Sequence, residues 1–213
     1  MAPRAVRIAV AGGSASGCPR GGSGRVEGAA AVTEAAGRAA PGRPPPARSA
    51  AVITVSDGVA AGARDDESGR RLEDRLRELG FVTSRAVVPD ERAAIGQAIA
   101  VATDLAALVV TTGGTGLTPR DVTPQATAAV IDYEVPGLAE AMRAEGRSHT
   151  PLADLSRGLV GVRGRALVVN VPGSPKGALE SLEALVPVLE HALETLAGPF
   201  DHAAGAVAAA REA

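Results

Sequence analysis

The sequence is poor in aromatic side chains: two Phe, one Tyr and no Trp, 1% of 213 residues. Its interior must therefore be packed from Ala, Val, Leu and Ile, and the stacking platforms that single-stranded nucleic acid requires are missing. A single cysteine, Cys18, allows no internal disulfide. The three histidines, His149, His191 and His202, are scattered without metal-ligand spacing, which argues against a zinc or haem site. Lysine occurs once, as Lys176. No apolar run approaches the length of a membrane span. The run Ile8-Ala9-Val10-Ala11 is too short for the apolar region of a signal peptide. These absences predict a cytoplasmic protein with no membrane and no nucleic-acid partner.

What is present is enough for one domain. Apolar residues make up 46% of the chain, which suffices for a core of ordinary size. Net charge is −2 but uneven: residues 1–49 hold seven Arg against Glu27 and Glu34, so that segment carries +5 and the remainder −7. An acidic main segment argues against a duplex-DNA binder. Phosphates, if bound, must be held by backbone N–H groups, a metal ion and a few placed arginines.

Residues 1–49, rich in Gly, Ala, Pro and Arg and ending near Pro44-Pro45-Pro46, bury too little to offset their ordering entropy and predict a disordered extension. A folded domain is expected over 50–198, followed by a flexible tail, 199–213. The apolar runs 51–55, 106–112 and 165–171 read as buried strands, and a further strand is expected near 81–88. Helices are expected at 69–79 with Ser68 as N-cap, at 91–102, from Thr123-Pro124 with Thr123 as N-cap, from Pro136 to Met142, and over 177–197, where Pro187 should kink or divide the helix. Strand and helix alternate four times. That order implies right-handed βαβ units and an α/β fold with a mostly parallel sheet. Ligands in such sheets sit at the carboxyl ends of strands, which gathers the loops 56–68, 111–123 and 170–177.

Those loops carry the chemistry-bearing residues. Thr112-Gly113-Gly114-Thr115-Gly116 follows a buried strand, where glycines let the backbone approach a ligand and offer N–H groups to phosphate oxygens. It lacks the Gly-Lys-Ser/Thr of a Walker A loop. A tight structural turn is the other reading. Asp121, beside Arg120 and seven residues beyond Gly114, is the kind of carboxylate Mg²⁺ takes next to phosphates, or else a loop residue satisfying backbone N–H groups. Asp90, after Pro89 and before a helix, suits an N-cap and also lies at a strand's carboxyl end. Asn170-Val171-Pro172-Gly173-Ser174-Pro175-Lys176 closes the last strand with a rigid loop in which Asn170 could present its amide to a nucleobase or phosphate. Ser56, Asp57, Ser156 and Arg157 are, singly, ordinary polar loop residues.

Taken in order, Thr54-Val55-Ser56-Asp57, Val88-Pro89-Asp90-Glu91, Gly113-Gly114-Thr115-Gly116, Thr118-Pro119-Arg120-Asp121-Val122-Thr123-Pro124, Leu155-Ser156-Arg157-Gly158 and Asn170-Val171-Pro172-Gly173-Ser174-Pro175 resemble the molybdopterin adenylyltransferase family, the MogA/MoaB-type proteins and the G domain of gephyrin. The resemblance implies a three-layer α/β/α domain, MogA/MoaB-like and commonly trimeric, which joins ATP and molybdopterin with Mg²⁺ and releases pyrophosphate. It implies catalytic and metal-handling roles for Asp90 and Asp121. It implies ligand contacts at Ser56, Gly113, Gly114, Thr115, Gly116, Arg120, Ser156, Arg157, Asn170, Pro172 and Gly173. A molybdate-insertion protein is the partner it suggests. Gln125 stands where the family usually has an acidic residue. Two alternatives stay open: the molybdate-insertion and competence-damage pyrophosphatase families share the glycine loop, and a non-catalytic molybdopterin-binding scaffold shares the fold.

Overall fold

The structure, a computed structural model, describes residues 7–9, 46 and 48–198. Its strands are β1 (Arg7–Ala9), β2 (Ser49–Val55), β3 (Val82–Val88), β4 (Leu108–Thr112), β5 (Tyr133–Glu134), β6 (Val160–Arg163) and β7 (Ala166–Val171). Its helices are α1 (Asp57–Ala60), α2 (Glu67–Glu78), α3 (Arg92–Thr103), α4 (Thr123–Ala128), α5 (Pro136–His149), α6 (Pro175–Glu183) and α7 (Val186–Ala197), with a 3₁₀ turn at Pro151–Leu155.

The strands form one sheet in the order β1-β3-β2-β4-β7-β6-β5. The centre, β3-β2-β4-β7, is parallel; β1 and β6 run antiparallel to it, and β5 pairs antiparallel with β6 at the edge. β2, β4 and β7 are buried along their whole length because helices cover both faces. Alternate residues serve two cores. Val52, Leu108, Val110, Leu167 and Val169 pack with Leu72, Leu76, Leu182 and Leu189 of α2, α6 and α7. Ile53, Val109 and Val168 face Ile95 and Ile99 of α3 and Ala126 of α4. The result is the expected three-layer α/β/α fold with a mostly parallel sheet.

The chain leaves β2 toward β3 on one side, whereas β4 leads toward β7 on the other. The crevice between the carboxyl ends of β2 and β4 is thus the topological switch point, where open α/β sheets bind ligands.

Several local expectations need correction. α2 is capped by Asp66, whose Oδ1 accepts from the Gly69 N–H at 2.9 Å, and not by Ser68. Asp66 is fixed there by the Thr54 hydroxyl and by Arg85, partners from β2 and β3. Thr123 lies inside α4 and donates its hydroxyl to the Gly113 carbonyl at 2.9 Å, leaving Val122 at the cap position. α5 continues past Met142 to His149, ending where Pro151 disfavours a further turn. Pro187 does divide the last helix, standing in the first turn of α7. Strands β5 and β6 lie outside the expected set. They are two and four residues long, and β6 returns to β7 through Gly164-Arg165, with Gly164 at φ +59°. β2 starts at Ser49, one residue earlier than the predicted boundary, and Arg7–Ala9 pairs with β3 inside the predicted extension. The remaining expectations for residues 1–45 and 199–213 lie outside the described residues.

Candidate functional site

Loops from four strand ends meet at the switch point. After β2, Ser56 caps the short α1 and Asp57 follows, exposed. After β3, Asp90 comes to face Asp57. The Asp57 N–H donates to Asp90 Oδ2 at 2.8 Å, and the Asp90 N–H donates to Asp57 Oδ1 at 3.0 Å. This reciprocal pair locks the two loops together and corrects the N-cap reading of Asp90: Glu91 occupies the cap position of α3, with no side-chain capping bond. Arg120 reaches across from the β4 loop to pair with the other Asp57 oxygen. The Asp90 N–H, with help from Arg120 and against some desolvation, holds the Asp57 carboxyl below its ordinary pKa. On the outer side, Arg64 donates to Ser56 Oγ at 3.2 Å.

The loop after β4 needs its glycines. Gly113 has φ +102°, and a Cβ there would lie 2.4 Å from the Val55 carbonyl oxygen. Gly114 has φ +64° and no room beside Thr123 Oγ1. The turn is tied to the loop after β7 by the Gly113 N–H to the Val171 carbonyl at 3.2 Å and by the Thr112 hydroxyl to the Pro172 carbonyl at 2.8 Å. Gly173 approaches so closely that its Cβ would stand 3.2 Å from Gly113 Cα. The N–H groups of Gly114 and Thr115 donate to no described residue, which leaves two fixed backbone donors at the turn.

Asp121 closes this loop. Its Oδ2 accepts from the Thr118 N–H at 2.8 Å, and a Cβ on Gly116 would lie 3.0 Å from the same oxygen, so the carboxylate faces the turn. Burial pushes the Asp121 carboxyl up, but the Thr118 hydroxyl, the Thr118 and Gly116 N–H groups and the Arg157 charge outweigh it and hold the pKa below the ordinary value. Both Asp57 and Asp121 are therefore anions at neutral pH.

Arg157 turns out to be a clamp. Its Nε donates to the Gly116 carbonyl at 2.7 Å, its Nη2 donates to the Asp121 carbonyl, and its own N–H donates to the Thr115 carbonyl at 2.9 Å. Arg157→Ala removes charged donors from two carbonyls and is expected to lower stability by about 2 kcal/mol in urea unfolding. An unchanged midpoint would show that the loop holds its shape without the guanidinium.

Beside the turn opens a cleft of about 370 Å³. Thr115, Gly116, Ser156 and Pro172 border it on the loop side, and Met142, Leu152 and Leu155 supply apolar walls. Asn170 is the predicted contact whose proposed role changes. Although its residue borders the cleft, it is 1% exposed, and its amide donates to the hydroxyls of Thr111 and Thr127 at 2.9 Å each, while its Oδ1 faces the Leu159 N–H. It braces the carboxyl end of β7 from within, its amide hydrogens engaged by the two hydroxyls. Asp57 is the reverse case, a polar loop residue on sequence grounds that the structure makes the hub of the Asp90–Arg120 contacts. Its signal was its place at the end of the first buried strand.

Among the described residues no three of His, Cys, Asp and Glu gather closely enough to hold a metal ion by themselves. One or two carboxylates completed by phosphate oxygens is the usual arrangement for Mg²⁺, and Asp121 is a carboxylate facing the glycine turn. No helix among the described residues is long and apolar enough to cross a membrane.

A parallel sheet with a glycine turn and two carboxylate-bearing loops at its switch point places the protein among α/β domains of the MogA/MoaB fold. Residues 51–191 match the family model described as "Probable molybdopterin binding domain". The chain belongs to this molybdopterin-binding domain family of molybdenum cofactor biosynthesis. It is 36% identical over 156 residues to a molybdopterin adenylyltransferase of Helicobacter pylori, covering 70% of this chain and 88% of that one. It is 35% identical over 176 residues to the molybdopterin adenylyltransferase of Escherichia coli K12, covering 75% and 90%. The crystal structure of the molybdopterin biosynthesis enzyme MoaB from Thermus thermophilus superposes with a TM-score of 0.65 at 47% identity, covering 70% of this chain and 96% of that one.

Proposed function

We propose that the protein is a molybdopterin adenylyltransferase, which transfers the AMP moiety of ATP to the terminal phosphate of molybdopterin. The observation that carries this reading is that Asp121 faces a glycine turn with two unspent N–H donors, while the adjacent Arg120 pairs with Asp57, which is locked to Asp90. The relatives named for this activity match over most of the chain.

In the proposed reaction a phosphate oxygen of molybdopterin attacks the α-phosphorus of ATP. A new P–O–P linkage forms, the bond to the β-phosphate oxygen breaks, and pyrophosphate leaves with that electron pair. Two polyanions must meet, so the site's main task is electrostatic. The Gly114 and Thr115 N–H groups supply fixed donors that need no reorganisation. Arg120, already drawn toward the site by Asp57, supplies a mobile positive charge, its side chain being 62% exposed. Arg157 keeps the turn in shape by holding its carbonyls. The cleft beside Thr115 and Gly116 is large enough for the pterin and joins the turn where the phosphates would lie. Mg²⁺, when bound, would be held by Asp121 and Asp90 and would neutralise charge on the phosphates. A homotrimer, and delivery of the product to a molybdate-insertion protein, belong to the same proposal.

A non-catalytic scaffold on the same fold would bind molybdopterin and stop there. Pyrophosphate release from ATP in the presence of Mg²⁺ is therefore to be followed with and without molybdopterin. Release that depends on molybdopterin is expected. Binding of molybdopterin with no release would make the protein a carrier.

A further inference from the structure

The cleft contains a carboxylate that the reaction above does not use. Glu180, on α6, is the sole acidic side chain among the described residues that line it, and 18% of that side chain is exposed. Its Oε1 lies 3.6 Å from His149 Nε2 and 3.6 Å from Lys176 Nζ, longer than hydrogen bonds. His149 makes its own closer contact, 3.1 Å, to Glu145. Neither Glu180 oxygen accepts a hydrogen bond from a described residue. A largely covered carboxylate beside Met142, Leu152 and Leu155 is costly unless donors reach it. The small neighbours Gly177 and Ser181, on the same helix, leave space for a flat ring to approach.

We infer that Glu180 determines which heterocycle the cleft accepts, by receiving two parallel N–H···O bonds from a 2-amino-4-oxopyrimidine edge. That edge offers a ring N–H and an amino group side by side, the geometry a carboxylate takes bidentately. Pterins and guanine share it. The chemistry of the walls alone does not separate them, but a pterin is the source this inference commits to, and it rests on the molybdopterin reading above. Glu180 is thus a specificity-determining residue at the end of the cleft away from the phosphates, while the carboxylates at the switch point serve the transfer itself.

The test uses the full chain without nucleotide, titrated with 6-hydroxymethylpterin, with its 2,4-dioxo (lumazine) counterpart and with GMP, binding being read from ligand fluorescence or, for GMP, by competition. The wild-type protein should prefer the pterin over the lumazine by on the order of 10- to 100-fold, the discrimination expected of one good bidentate pair. Glu180→Gln should erase or invert that preference, because its amide N–H₂ now opposes the amino group and can donate to the 2-oxo group of the lumazine. Lys176→Gln, which removes only the ion-pair partner, should leave the preference as it was. If Glu180→Gln does not fold, Glu180→Asp keeps the charge but shortens the reach, and should weaken the pterin while leaving the lumazine unchanged. A pterin preference that survives Glu180→Gln overturns the inference and leaves the molybdopterin reading standing. A wild-type protein that binds no pterin sinks that reading as well. GMP displacing the pterin at equal concentration would mean that the cleft is a guanine site.

Discussion

Asp121→Asn is expected to lower kcat/KM for adenylyl transfer by about 10²–10³-fold, the loss typical of one preorganised electrostatic group in such sites. The substitution keeps an oxygen that can accept from the Thr118 N–H, so the loop is retained and only the charge is lost. Its melting temperature should fall only modestly, by the part of the stabilisation that the carboxylate's charge supplies. Asp121→Ala also deletes the Thr118 bond and should add roughly 1 kcal/mol of destabilisation. Because the Asp121 carboxyl is held below its ordinary pKa, it stays ionised throughout the neutral and mildly acidic range. Its contribution to stability is complete above the unfolded pKa and is lost only as the pH falls through the lower folded value. Wild-type rates in Asp121→Asn would remove this carboxylate from the chemistry.

Gly113→Ala should be strongly damaging. It combines a backbone conformation that L residues avoid, φ +102°, with a Cβ placed 2.4 Å from the Val55 carbonyl oxygen, which is backbone and cannot swing aside. The conformational part alone costs on the order of 1–3 kcal/mol. Relieving the clash must then separate the carboxyl ends of β2 and β4, where the site is built. A total loss of about 3 kcal/mol or more, together with loss of ligand binding, is expected in denaturant unfolding and titration. Gly62→Ala is the natural comparison: φ is +71°, but a Cβ there meets nothing within 4 Å, so only the conformational cost remains. Equal losses at Gly113 and Gly62 would show that the contact with Val55 is not what matters.

How much of this was legible in the sequence depended on whether a feature was local. The central strands were readable because burial on both faces turns β2, β4 and β7 into unbroken apolar runs, and the glycine turn was readable because it punctuates one of them. β5 and β6 were not, being too short to show a period. Ser68 and Asp66 are both residue types that cap helices. The choice between them is made by Thr54 and Arg85, which are tertiary partners. The same holds at the site. Asp57 gains its importance from Asp90, 33 residues away, and Asn170 is drawn inward by Thr111 and Thr127, 59 and 43 residues away. Arg157 acts on backbone carbonyls, which no side-chain motif records. The sequence order of the loops predicted their meeting; which side chains would face the ligand and which would support it from behind was decided by contacts across the sheet.

The most direct measurement follows the nucleotide's own phosphorus. ATP labelled at the α-phosphate is incubated with molybdopterin, Mg²⁺ and the protein, and the pterin fraction is collected. Label should appear there as AMP attached to molybdopterin, one for each pyrophosphate released, and its rate of appearance should fall by about 10²–10³-fold with Asp121→Asn. Recovery of the α-label only as unchanged ATP, or transfer of a γ-label in its place, would contradict the assignment of this site to adenylyl transfer.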